Sequence, residues 1–162
     1  METRDKSCCF IGHREIRQND KLTESLRDSI LNLINIGVYR FLFGSNSEFN
    51  ALCHRIVCNL KKDYPHLVRV YVRAEYPVIN EKYRKYLLTL YEDTYFPDCL
   101  LRAGKAVYIE RNFEMINQCS YCIAYYDGRN TAKSKEKRSG TELAYKYAEK
   151  RGLSIQNIYK TD

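Results

Sequence analysis

A chain of 162 residues, 44% of them hydrophobic, has enough apolar side chains for one sizeable core, and we expect a single domain over 1–162 with its core at about 7–159. The formal net charge of +7, from 27 Lys and Arg against 20 Asp and Glu, favours anionic partners through long-range attraction but does not separate a nucleotide from a nucleic acid. No run reaches the about 18 apolar residues of a membrane span, and no signal-peptide core follows Met1 to Lys6, so a cytoplasmic protein with no membrane partner is expected.

Residues 7–11 form a short apolar run that stops at Gly12, as a buried strand would. A helix follows from Asp20. Its apolar face reads Leu22, Leu26, Ile30, Leu33 and Ile34, and Gly37 stands where a C-terminal cap belongs. Residues 38–43 read as a second strand halted by Gly44. Phe49, Leu52, Cys53, Ile56, Val57 and Leu60 then recur at helical spacing, the cleanest amphipathic pattern in the chain, and Pro65 closes that region. Residues 67–72 read as a third strand, and Tyr83, Tyr86, Leu87, Leu90 and Tyr91 as a third helix. Beyond it, 96–104 reads as a loop, 106–109 as a short strand, 111–118 as a short helix, and 121–126 as a strand ending at Asp127-Gly128. Residues 129–138 are polar and basic without periodicity, which predicts a mobile loop over the sheet edge. A last helix at 141–150, closed by Gly152, and a strand at 155–159 complete the pattern. Strands alternating with helices through short turns predict an α/β fold, a mostly parallel sheet with helices on both faces.

Three turns place glycine or a small polar residue where a strand gives way to a helix: Gly12-His13-Arg14, Gly44-Ser45-Asn46-Ser47 and Ser139-Gly140-Thr141. Glycine allows close approach of a ligand to the backbone, and the free N–H groups opening a helix attract phosphate. Arg111-Asn112, read as opening a helix, would put a cation against the helix dipole, a conflict that a bound anion removes. Convergence of these turns on one sheet edge would form a nucleotide-sized pocket, so Gly12, His13, Arg14, Gly44, Ser45, Asn46, Arg111, Asn112, Ser139, Gly140 and Thr141 are the candidate ligand-binding residues. For the second turn, Ser45 and Glu48 also fit a helix capping box.

No catalytic residue is assigned. His13 has no visible partner triad, and neither His54 nor His66 has a nameable partner. Cys119-Ser120-Tyr121-Cys122 has metal-site spacing, but no second Cys/His pair accompanies it; packing is the better account, and neither a metal nor a cofactor is expected. The seven cysteines read as reduced and mostly buried. Lys133, Lys135, Lys137 and Arg138 read as a solvated charge run, or as a cationic lid before Gly140. Fifteen tyrosines offer stacking platforms, but no basic stripe interleaved with exposed aromatics is traceable, so nucleic acid is not the favoured partner. A homo-oligomer is expected.

Cys9-Phe10-Ile11-Gly12-His13-Arg14, Arg111-Asn112 followed by Met115, Tyr125-Tyr126-Asp127-Gly128 and Ser139-Gly140-Thr141, in this order and spacing, resemble the SLOG superfamily, nearest its YpsA-like branch. The resemblance covers most of the chain from Ser7 to Tyr159. It implies a Rossmann-like fold binding a nucleotide or nucleotide-derived ligand at the carboxyl edge of the strands, with relatives among DprA single-strand DNA-binding proteins and LOG phosphoribohydrolases. YpsA-like members usually carry a second glycine and an aspartate in the turn after the second strand, where this chain has Glu48 and Asn50. LOG enzymes carry a glutamate three residues after the threonine of the third turn, where this chain has Ala144. Glu142 projects elsewhere around the helix. The resemblance therefore implies binding, by a sensor or sequestering protein, ahead of N-glycosidase chemistry through a displaced acid (Glu15, Glu48, Glu110 or Asp127), with DprA-like nucleic-acid binding as a further alternative.

Overall fold

The computed structural model describes residues 3–100, 104, 106–128 and 140–160. Six strands, β1 (Ser7–Gly12), β2 (Arg40–Phe43), β3 (Val68–Val72), β4 (Asp93–Tyr95), β5 (Tyr121–Tyr125) and β6 (Ser154–Asn157), make one sheet in the order β4-β3-β2-β1-β5-β6. Every pairing is parallel; Cys9 stands opposite Leu42 of β2 and Cys122 of β5. The helices are α1 (Asp20–Asn35), α2 (Glu48–Leu60), α3 (Glu81–Leu87), α4 (Ala106–Asn117) and α5 (Gly140–Lys150), after a 3₁₀ turn at Thr3–Lys6. The fold is α/β and Rossmann-like. No helix among the described residues is long and apolar enough to cross a membrane.

The alternation of side chains along each central strand divides the core in two. Cys8 and Phe10 of β1, Phe41 and Phe43 of β2, and Ile123 and Tyr125 of β5 pack against Leu22, Leu26 and Ile30 of α1 and Phe49, Leu52 and Ile56 of α2. Their neighbours Cys9, Ile11, Leu42, Cys122 and Ala124 face the other way, against Met115 and Ile116 of α4 and Ala144 and Ala148 of α5. Burial on both faces explains why these strands read as unbroken apolar runs. Asn19 caps α1 through a bond from Leu22 N–H to its Oδ1 at 2.8 Å, and Gly37 ends the helix with φ +103°, a left-handed backbone that glycine adopts freely.

Some expectations fail: the third helix ends at Leu87, short of Leu90 and Tyr91. The strand expected at 106–109 is the first turn of α4, and the fourth strand is Asp93–Tyr95. Four apolar residues fit either period, and the helix wins because Val107, Arg111 and Met115 continue at i, i+4 onto one buried face. Arg111 therefore lies in mid-helix, so the dipole conflict proposed for a helix start does not arise. The mobile loop expected at 129–138 lies outside the described residues.

Candidate functional site

In this strand order the chain steps outward from β1 through β4 on one side and from β5 to β6 on the other, so the sheet switches direction between β1 and β5. The chain leaves β1 for α1 on one face, whereas α5, which follows β5, packs on the opposite face. Diverging exits leave a crevice above the carboxyl ends of these two strands. Gly12, His13 and Arg14 form one bank, and Tyr126, Asp127 and Gly128 the other.

His13 bridges the crevice. Its N–H donates to the Tyr125 carbonyl at 3.2 Å, and its Nε2 lies 3.1 Å from the Asp127 amide nitrogen and 3.1 Å from Asp127 Oδ1. A neutral ring accepts the amide N–H at that nitrogen, and a protonated ring donates to the carboxylate. Asp127 is thus the partner that sequence reasoning did not find for His13. The ring also meets Tyr125 edge-on at 6.2 Å and Tyr126 at 5.9 Å. Across the bank, Thr141 Oγ1 donates to the Gly12 carbonyl at 3.1 Å and seats the start of α5 over β1. Among the described residues, no atom lies within 4 Å of the position a Cβ on Gly140 would take. Ser139 lies outside the described residues.

Gly12 and Gly44 serve close packing. A Cβ at Gly12 would stand 2.3 Å from the ring of buried Phe49, and one at Gly44 2.6 Å from Met115 Sδ and 2.8 Å from Arg111 Cδ. Neither requires a left-handed backbone.

Arg111 is 3% exposed, and its guanidinium lies over the ends of β2 and β3. Nη1 donates to the Gly44 carbonyl at 2.5 Å and, more weakly, towards the Val72 carbonyl at 3.4 Å; Nε donates to Asn112 Oδ1 at 3.0 Å. The remaining nitrogen, Nη2, makes no hydrogen bond among the described residues, and no carboxylate there lies within ion-pairing distance of the group. Burial lowers its pKa to about 10, which leaves it charged at neutral pH. The Tyr108 ring lies 5.9 Å away, its hydroxyl bonded to Glu75. A buried cation held only by neutral acceptors is costly unless an anion joins it.

The second turn corrects the capping box. Ser47, not Ser45, caps α2 by accepting the Asn50 N–H at 3.1 Å. Ser45 supports it, their hydroxyl oxygens 2.8 Å apart. Glu48 reaches out of the helix and accepts the Ile16 N–H at 2.9 Å, while its own N–H donates to the Arg14 carbonyl at 2.8 Å. Two backbone donors of the turn are also engaged: the Gly44 N–H donates to Asn50 Oδ1 at 3.3 Å and the Ser47 N–H to Ser45 Oγ at 3.4 Å. The exposed Asn46 and the Arg14 side chain stand at the rim. Ala144 is buried in the core.

Beside the crevice lies an open depression of about 530 Å³ lined by Tyr126, Asp127, Gly128, Tyr145, Asn157 and Tyr159, with Lys160 at its margin. Asn157 holds its wall, accepting the Tyr126 N–H at 3.1 Å and donating to the Tyr126 carbonyl at 2.8 Å. The Tyr126 and Tyr145 rings lie 4.7 Å apart. Tyr126 is itself buried, and Tyr159 and Tyr145 each pack against one half of the core, so the depression is lined by the flanks of core side chains.

No family model matches the chain, and no curated protein matches it. Among solved structures the chain is similar to DNA processing protein A from Helicobacter pylori, described for its single-stranded DNA binding mode. The TM-score is 0.57, with 14% identity, over 96% of this chain and 68% of that one. At that identity the likeness shows a common fold.

Proposed function

We propose that the chain is a SLOG-type protein of the YpsA-like kind that binds a nucleotide or nucleotide-derived small molecule at the carboxyl edge of its sheet, as a sensor or sequestering protein. The observation that carries this reading is the buried, charged Arg111 with its neutral partners and its Nη2 left over at the ends of β2 and β3. Adjacent strands lie about 4.8 Å apart, so a ligand reaching from Arg111 past Thr141 to the His13–Asp127 pair extends across about 10 to 15 Å of strand ends. In this reading Arg111 and the opening of α5 at Gly140-Thr141 hold the phosphate, with Asn112 orienting the guanidinium. Arg14 at the rim attracts the anion, and Gly12, Gly44, Ser45 and Asn46 shape the wall. The tyrosines around Tyr126 offer a face for the base. Calorimetric titration with nucleoside mono- and diphosphates, dinucleotides and inorganic phosphate tests this. Saturable binding of nucleotides over inorganic phosphate is expected, and no binding across the panel contradicts it.

The His13–Asp127 pair favours a second reading, a nucleoside-phosphate N-glycosidase. Asp127 would stabilise the developing ribosyl cation or activate water, with His13 orienting it. Release of free base that disappears in Asp127→Asn supports this reading over binding alone. Single-stranded DNA binding, prompted by the likeness to the Helicobacter pylori protein, would appear in the same titrations as salt-sensitive affinity for oligonucleotides exceeding that for mononucleotides.

A further inference from the structure

A second cluster of chemically active side chains lies near the other end of the strands. Cys58, in the last turn of α2, is half-buried, and its Sγ accepts a hydrogen bond from Arg69 Nη1 of β3 at 3.1 Å. His54, one turn earlier on the same helix face, brings Nε2 to 3.4 Å and Nδ1 to 3.8 Å from the same sulfur. The imidazole is fixed from outside: Nε2 lies 3.0 Å from the Leu90 carbonyl, and the ring packs on Tyr91 at 4.6 Å. Arg69 is fixed as well, its Nε and Nη2 bonded to the Glu92 carboxylate at 2.9 and 2.6 Å. Lys61 Nζ lies 3.8 Å from Glu92. The charged and titratable groups facing the sulfur and its partners are therefore His54 from α2, Lys61 just after it, Arg69 from β3, and Tyr91 and Glu92 from the segment before β4. From α1, Arg27 bonds Asn59.

We infer that Cys58 is a nucleophilic thiolate site, built by His54 and Arg69, that exchanges with low-molecular-weight disulfides. Arg69 Nη1 is a fixed donor to the sulfur, its guanidinium held in place by a carboxylate; the His54 Nε2–H is given to the Leu90 carbonyl, so the imidazole adds a second donor through Nδ1–H when it is protonated, and an imidazolium–guanidinium setting favours the thiolate. Burial opposes ionisation of Cys58, but the bonds from His54 and Arg69 outweigh it and bring the thiol below its usual range. In the exchange, the Cys58 sulfur forms a new S–S bond to one sulfur of the incoming disulfide, the old S–S bond breaks, and its electron pair leaves on the departing thiolate. The incoming disulfide is the oxidant. No second cysteine belongs to the cluster, and Cys53 on the same helix is buried in the core, so the product remains a mixed disulfide.

The chain carries its own control. Cys99 is exposed, but its Sγ faces Glu114 Oε2 at 3.5 Å, and burial together with that carboxylate raises its pKa. Exposure alone would make Cys99 react first, whereas electrostatics favours Cys58. The test is site-resolved alkylation of the full chain by iodoacetamide from pH 5 to 10, read by mass spectrometry, with oxidised glutathione as the disulfide probe. Expected are faster labelling of Cys58 than Cys99 at pH 7, a profile for Cys58 centred below that of Cys99, and one glutathionyl group carried by Cys58. His54→Asn should slow Cys58 at pH 7 about tenfold without changing Cys99. Faster labelling of Cys99 at neutral pH, with a Cys58 profile centred at or above that of Cys99, or glutathione landing on Cys99 alone, overturns the assignment. The wild-type profile decides the matter even if a variant fails to fold.

Discussion

The guanidinium of Arg111 and the backbone of Gly44 occupy each other's space: Nη1 donates to the Gly44 carbonyl at 2.5 Å, and a Cβ on Gly44 would come within 2.8 Å of Arg111 Cδ. The glycine is thus a requirement of the arginine. Gly44→Ala should displace flexible Arg111 and Met115 side chains, weakening nucleotide binding more than stability, as paired calorimetry and thermal unfolding would show. Unchanged affinity would separate the Gly44 turn from the site.

Gly12 presents the opposite case. Its neighbour Phe49 is a fully buried ring with nowhere to retreat, so Gly12→Ala should cost about 1–3 kcal/mol in urea unfolding. Gly140→Ala, with open space around the new methyl group among the described residues, should leave the unfolding midpoint unchanged.

The cap of α2 separates two serines. Ser47→Ala removes the acceptor of the Asn50 N–H and should destabilise by about 1 kcal/mol, and Ser45→Ala by less, in the same unfolding assay. Equal losses would restore Ser45 as a capping residue.

Much of this architecture was legible in the sequence because its central elements are strongly patterned. Leu22 to Ile34 and Phe49 to Leu60 carry complete helical faces, and β1, β2 and β5 are buried on both sides, so their apolar runs are unbroken. The edge was not legible. Asp93-Thr94-Tyr95 pairs only with β3 and has no period of its own, while the apolar residues 106–109 fit two periods until the buried face of α4 decides. The site was legible as a set of turns, not as chemistry. His13 and Asp127 are 114 residues apart and meet only because β1 and β5 are neighbours, and Cys58 meets Arg69 only because α2 packs beside β3.

Glu92 gives a pH signature. Burial favours its neutral form, but the Arg69 guanidinium and N–H hold its carboxyl below the usual glutamate range. A carboxyl more acidic in the folded chain contributes stability that is complete above the unfolded pKa and lost as pH falls through the folded one. Glu92→Gln should therefore reduce stability at neutral pH and flatten its decline below about pH 4.5. An acid limb identical to wild type would contradict this account of the pair.

The most direct test of the central claim is titration of wild type and Arg111→Met with a nucleoside monophosphate. Methionine keeps an unbranched side chain and removes the charge, so the variant should unfold cooperatively yet bind at least about tenfold more weakly, the loss expected for a charge-assisted hydrogen bond. A folded Arg111→Met protein that binds the nucleotide as tightly as wild type would contradict the account.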